Sequence, residues 1–237
     1  MNPTKLYILL ITFQLFIITS QAQTFWSSRE YRIPGLGQKS LDVGLRFTGA
    51  ENNAGTSVFD STLFSITYGK NIDEKTEFSF GGALGGTDID GFDNYTNFEL
   101  FGDVVYKREK ILESGAKLVP YVRAGGVLNY FSNYEETTIG YTWTHRYYTY
   151  SGESHFDVYG NYSAGLSYVG LNDKWAASTE LGQSRHLFGD LDPGYELNIW
   201  TSQLYYGLWE NSGLKFSYTH DLDYARDSWG LYWSKTW

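Results

Sequence analysis

The chain has 237 residues, a formal net charge of -9 and no cysteine. An acidic balance excludes a nucleic-acid backbone as the principal partner, which demands a basic surface. The missing cysteines exclude a disulfide scaffold, a thiolate metal site, a cysteine nucleophile and a lipidated cysteine at a processing site. With 19% aromatic residues, 21 Tyr, 8 Trp and 26 Gly against only 4 Pro, the composition suits a sheet with one wet and one apolar face better than a helical core.

In chain order, the first segment reads as an address. Lys5 gives a short basic start, Leu6 to Ile18 is almost unbroken apolar sequence, and Ser20, Gln21 and Ala22 are small or polar residues where a signal peptidase acts. The apolar run is shorter than the ~20 residues a spanning helix needs, so cleavage after Ala22 is expected. That leaves residues 23–237 as one domain.

Beyond Gln38 the sequence alternates with period two in segments of about ten residues, the signature of strands. Ten such segments are expected. The first places Leu41, Val43, Leu45 and Phe47 on one face and Asp42, Gly44, Arg46 and Thr48 on the other. The next three carry Phe64, Ile66 and Tyr68; Phe78, Phe80, Gly82 and Leu84; and Phe98, Leu100, Gly102, Val104 and Tyr106 on the apolar side. Strands five to seven centre on Val122–Tyr130, Phe156–Tyr168 and Trp175–Leu181, and the last three on Trp200–Leu208, Leu214–Tyr218 and Trp229–Trp237. At the chain's 19% charge frequency an apolar face of this size would carry several charges by chance. Lys235, near the end, is the one it carries, where a charge at the rim of a bilayer costs about 0 to 1 kcal/mol.

The opposite face holds Asp42, Arg46, Glu77, Glu99, Asp103, Lys107, Arg123, Asp157, Glu180 and Lys215. Periodicity alone does not say which face is enclosed, because a soluble barrel would present it to water. Two other patterns decide. Tyr68, Tyr106, Tyr168, Trp175 and Trp209 cluster at one set of strand ends and Tyr95, Tyr130, Phe156, Trp200 and Trp229 at the other, matching the two headgroup levels of a bilayer. Short connections at 69–75, 171–174 and 210–212 also alternate with long ones at 50–56, 86–95, 132–155, 186–196 and 221–228, as in barrels with short periplasmic turns and long outer loops. The connection at 108–115 is longer than its short peers. The expected fold is an all-β, closed, antiparallel, up-and-down transmembrane β-barrel of about ten strands, within a range of eight to twelve.

The tail Trp229, Leu231, Trp233 and Trp237 resembles the terminal strand signal of bacterial outer-membrane β-barrel proteins, with Lys235 departing from the usual apolar residue. Val119 to Phe131, VPYVRAGGVLNYF, resembles a central strand of small barrels of the OmpA and OmpX type. The resemblance implies the outer membrane of a Gram-negative cell, contact with its lipid, and biogenesis through periplasmic chaperones and the barrel assembly machinery.

Chemistry is sparse in the sequence. Arg46 and Arg123 stand against Glu99, Asp103 and Glu180, and buried ions persist only when paired. With Phe101, Tyr121 and Tyr159 also directed inward, a narrow or plugged lumen is expected over an open channel. No cofactor, metal ligand or catalytic residue is assigned, and no ligand site is specified. Three function classes remain: a structural, adhesive or ligand-binding barrel, a small passive channel, and a hydrolase at the outer rim. For the last, the architecture resembles omptin proteases through Asp88, Asp90, His186 and Asp190, a set in which carboxylates and a His–Asp pair would activate water. The same set leaves room for a lipid-modifying enzyme. Asp190, Asp192, Asp221 and Asp223 offer hard oxygen ligands for calcium, while His145, His155 and His220 show no metal spacing. The tyrosines of the third loop, Tyr134, Tyr141, Tyr147, Tyr148 and Tyr150, with Trp143, read either as a recognition surface or as strands continued into a hairpin above the membrane.

Overall fold

The computed structural model describes residues 31–51, 57–89, 95–141, 146–189, 196–223 and 226–237. The expected leader at 1–22 and the loop residues Asp90, Trp143, His145, Asp190 and Asp192 lie outside that set. The strands are β1 (Lys39–Glu51), β2 (Ser57–Asn71), β3 (Thr76–Ile89), β4 (Tyr95–Lys107), β5 (Lys110–Ile111), β6 (Lys117–Tyr141), β7 (Arg146–Val169), β8 (Trp175–Gly189), β9 (Glu196–Trp209), β10 (Ser212–Asp221) and β11 (Arg226–Thr236), all but β5 centred on the alternating segments. Neighbours in sequence pair antiparallel, β1 pairs with β11, and β4 pairs with β6, so the sheet closes. The two-residue β5 merely extends the β4–β6 turn by pairing with Leu118 and Lys117. Ten long strands therefore form the wall.

Turn chemistry fixes the short-turn end. Asn211 (φ 61) takes the left-handed conformation in the two-residue β9–β10 turn, and Asn172 and Asp173 do so in the β7–β8 turn; Asn and Asp tolerate it best after glycine. Asp73 accepts the backbone N–H groups of Lys75 and Thr76 at 2.8 Å each, tightening the β2–β3 turn. Both the first and last strands meet at this end, where the N–H groups of Gln38 and Lys39 bond the Trp237 carbonyl.

The faces are inverted relative to a soluble protein. Leu45, Phe64, Leu84, Leu100, Val122, Leu166, Leu204 and Leu231 are all exposed, while every charged residue that the alternation placed on the other face is buried. Leu100 is 47% exposed and its neighbour Glu99 is 0%. Among the described residues each long strand is paired on both sides around the closed wall, the condition for a sheet in hydrocarbon. Tyr106, Trp175 and Trp209 are exposed near the short turns, and Tyr130, Phe156, Trp200 and Trp229 near the long loops, so two aromatic girdles bracket the apolar band.

Strands at the long-loop end run farther than alternation suggests. β6 and β7 continue as a paired ribbon from Tyr134 opposite Glu153 to Tyr141 opposite Arg146, past the last β4 pairing at Ser132 and the last β8 pairing at Asp157. The hairpin reading of the third loop is thus the correct one for its backbone. Outside the bilayer no face must be greasy, so pairing persists where the two-residue hydrophobic pattern stops.

Candidate functional site

The lumen gathers the polar candidates, and its floor comes from a segment in which alternation gave no strand. Residues 31–38 turn into the barrel at the short-turn end. Pro34 and Gly35 occupy the middle of a turn closed by the Leu36 N–H on the Ile33 carbonyl. Gly35 has φ 84 and Gly37 φ 65; the first is the positive φ a type II turn requires at its third position, after a proline at the second. The Arg32 side chain curls over the loop and donates to the carbonyls of Leu36, Gly37 and Gln38 at 2.6, 2.5 and 3.1 Å. Arginine's fan of donors makes it the one side chain able to bind three carbonyls and a carboxylate at once.

The loop is then bolted to the wall. Ile33 and Leu36 pack with Val169, Ala176 and Tyr205 in a buried apolar cluster. The Gly35 N–H donates to Glu77 Oε1 at 3.0 Å, and Ser167 Oγ to the Pro34 carbonyl at 2.6 Å. The Tyr31 carbonyl receives Gln203 Nε2 at 2.8 Å and Lys215 Nζ at 3.2 Å, and the Arg123 guanidinium lies 4.0 Å over the Tyr31 ring. Burial pulls the Arg32 guanidinium below its ordinary value, and the carboxylates of Glu77 and Asp42 push back.

Above this floor, opposite charges cross the lumen in tiers. Lys107 bridges Glu77 at 2.6 Å and Glu109 at 2.5 Å. Lys215 pairs with Asp42, which also accepts Ser234 Oγ. Arg123 reaches Asp103 at 2.5 Å and Glu180 at 3.2 Å, Tyr121 donates to Glu180, and Ser79 donates to Asp103. Higher still, Arg46 meets Glu99 at 2.6 Å, and Arg226 meets Asp221 at 3.1 Å. The pairings expected for Arg46 and Arg123 all form. Phe101, Tyr121 and Tyr159 point inward and are buried as expected. Beside Tyr31, Arg123, Asn161 and Thr201 a cavity of about 30 Å³ remains, room for a water molecule or two.

The remaining sequence candidates are dispersed. His186 sits on β8 facing the lumen, and its Nε2 lies 3.0 Å from Asp157 of β7, with Tyr159 edge-on at 5.4 Å. Its nearest carboxylate in the described structure is thus a strand neighbour. Both side chains of the dyad are buried, 97% or more enclosed. Asp88 lies on β3 opposite Asp60, its side chain outside the described set. Asp221 is buried on Arg226, whereas Asp223 is exposed and accepts the Asn198 backbone and side-chain amides; the two do not converge on a cation. Among the described residues no cluster of three His, Asp or Glu side chains is placed to hold a metal. His220 bonds Asp227 at 2.8 Å on the outer surface, and the His155 side chain lies outside the described set.

A polar, ion-paired interior inside an apolar, girdled exterior decides the architecture. The fold is that of an outer-membrane β-barrel. No family model and no curated protein matches the sequence. Among solved structures, the barrel is similar to the outer-membrane protease OmpT of Escherichia coli (8% identity, 86% of this chain and 98% of that chain, TM-score 0.46). It is also similar to the COG4313 outer-membrane channel of Pseudomonas putida F1 (10%, 89% and 99%, 0.45). A third similar structure is Ail, the attachment invasion locus protein of Yersinia pestis (14%, 84% and 97%, 0.35).

Proposed function

We propose that this barrel sits in the outer membrane of a Gram-negative cell, does not conduct, and acts by presenting its long-loop end to an extracellular ligand. The observation that supports this reading is the filling of the lumen at its short-turn end: a floor held by Arg32, Glu77 and Arg123 below tiers of paired charges. An aqueous pore needs continuous open volume, and a ten-stranded barrel has little to spare once large side chains point inward. The β6–β7 ribbon extends about 25 Å past its neighbours at about 3.4 Å per residue and is rich in tyrosine, which gives contact area at low entropic cost. A leader ending at Ala22 and insertion by the barrel assembly machinery belong to the same proposal.

Planar-bilayer recording tests the sealed lumen directly. The full barrel should show no unitary conductance steps, whereas a variant lacking residues 31–38 should flicker. Stable, ion-selective steps from the intact protein would overturn the reading in favour of a channel. Display on whole cells, with and without residues 133–154, tests the ribbon: binding to an array of glycans and matrix proteins should disappear with the ribbon, and binding that persists would remove it from the account.

A further inference from the structure

We infer that the outward face of β11, β1 and β2 at the short-turn girdle is a binding site for the phosphodiester of an anionic phospholipid. Lys235 is the one charge on the apolar face that alternation marks out, and the strands add Lys39 and Lys70 beside it. Lys39 stands directly opposite Lys70, and on its other side its backbone exchanges hydrogen bonds with that of Trp237 at 2.8 and 3.1 Å. Lys235 faces Leu41 one rung closer to mid-membrane, and its Nζ lies 5.9 Å from the Trp237 ring centroid. Lys70 and Lys235 are exposed and Lys39 is half-buried. Three lysines therefore share one patch of the outer wall.

Like charges directly opposite each other in a sheet are destabilising, their Cβ atoms being about 4.5 to 5.5 Å apart. Here no acid relieves them. The outward phase of β11, β1, β2 and β3 over this half of the wall carries no Asp or Glu. Asp42 and Glu77 face the lumen on Lys215 and Lys107, and Asp73 is taken by the N–H groups of its own turn. Glu74 and Glu210 lie on turns beyond the strand ends and form no ion pair with these lysines. An anion placed between Lys39 and Lys70 turns one repulsion into two attractions.

The surroundings choose the anion. Phe78 stands opposite Lys70 and Tyr68 opposite Leu41. Phe78 and Phe80 stack at 6.1 Å and 6°, with Tyr68 5.5 Å from Phe80, so a cluster of rings borders the lysines on the β3 side as Trp237 does on the β11 side. Toward mid-membrane the same strands expose Ile66, Leu45 and Leu231. Such rings settle at headgroup level, and lysines near a membrane surface attract anionic lipids. Cations at the girdle over an apolar wall match an amphiphile whose phosphate sits between the lysines and whose chains lie against the strands. In the orientation proposed above, on which this assignment of leaflet rests, the lipid belongs to the periplasmic side.

Nanodiscs of equal phosphatidylglycerol and phosphatidylethanolamine, with the full barrel released for native mass spectrometry, test the site on the unaltered protein. Both leaflets of such a disc are alike, so the result does not depend on the orientation of the barrel. Phosphatidylglycerol should be retained about tenfold over phosphatidylethanolamine, and Lys39→Gln or Lys70→Gln should each cut that ratio about fivefold, the scale of one lysine near an anionic surface. Lys174→Gln, the same change at the β7–β8 turn on the far side of the barrel, should leave it unaltered. Urea unfolding adds a sign that general surface charge does not give. Lys70→Gln should unfold at higher urea than the parent in phosphatidylcholine vesicles, where its repulsion with Lys39 is relieved, and at lower urea once phosphatidylglycerol is added. Equal retention of the two lipids by the parent, an equal fall in Lys174→Gln, or a shift of one sign in both vesicles overturns the site. Displacement of the lipid by soluble glycerol phosphate at equal concentration would overturn the assignment to a lipid.

Discussion

Arg123→Met should destabilise the barrel more than any surface change, because one guanidinium serves four groups. It bonds Asp103, Glu180 and the Arg32 carbonyl and covers the Tyr31 ring. Removing one partner of a buried ion pair typically costs about 3 to 5 kcal/mol, since the other charge is left enclosed. Here two carboxylates are left, each keeping one hydroxyl, from Ser79 or Tyr121. We expect a loss of about 4 kcal/mol against a total stability of about 5 to 15 kcal/mol. Neutralising the survivors in Arg123→Met/Asp103→Asn/Glu180→Gln should recover most of it. The assay is urea unfolding in lipid vesicles followed by tryptophan fluorescence, with slopes compared to check that the same surface is exposed. Because the chain has no cysteine, a single Ile33→Cys reporter reads the floor in parallel: protected from a polar maleimide in the parent, reactive once Arg123 is gone. The reasoning fails if Arg123→Met stays within about 1 kcal/mol of the parent or if the triple variant is as unstable as the single.

The first and last strands join at a close approach that leaves no space for a side chain. A Cβ on Gly44 would lie 2.1 Å from the Leu231 carbonyl and 2.7 Å from Tyr232 Cα, so Gly44→Val should impair closure of the β1–β11 seam, read as loss of the compact unboiled band. At the short-turn end, the Lys75 N–H, with that of Thr76, lowers the Asp73 carboxyl below its ordinary value. A depressed carboxylate contributes stability above its unfolded value of about 3.9, and the contribution is lost as pH falls through the folded value. Asp73→Asn should therefore remove that contribution at neutral pH, leave stability at the acid end unchanged, and so flatten the acid limb of the pH–stability profile below about pH 4; an unaltered acid limb would contradict the role given to that turn.

Much of the architecture was legible because a membrane barrel writes its orientation into every second residue. Leu45 beside Arg46 and Leu100 beside Glu99 already separate wall from lumen, and the ten strands follow. Pairing partners such as Arg46 with Glu99 were accessible once both were assigned to one enclosed face. The floor was not, since Tyr31 to Gln38 has no period of two and its one local signal, Pro34-Gly35-Leu36-Gly37, marks a turn without saying where the turn goes. Only the wall residues Glu77, Arg123, Ser167 and Gln203, distant in sequence, define its destination. His186 illustrates a second limit. Its inward phase was readable, but its contact with Asp157 depends on the register shift between Val158 and Tyr159, which a pattern of hydrophobicity does not encode.

The central claim, an apolar stripe on lipid and an ionic stripe around a closed axis, is tested most directly by nitroxide labels on single cysteines at Leu100 and Phe101 in bilayers. These neighbours are 47% and 5% exposed. The label at 100 should relax strongly with lipid-dissolved oxygen and weakly with a polar nickel chelate, and the label at 101 should be shielded from both. A label at 101 that meets oxygen freely while the one at 100 is protected would contradict the account.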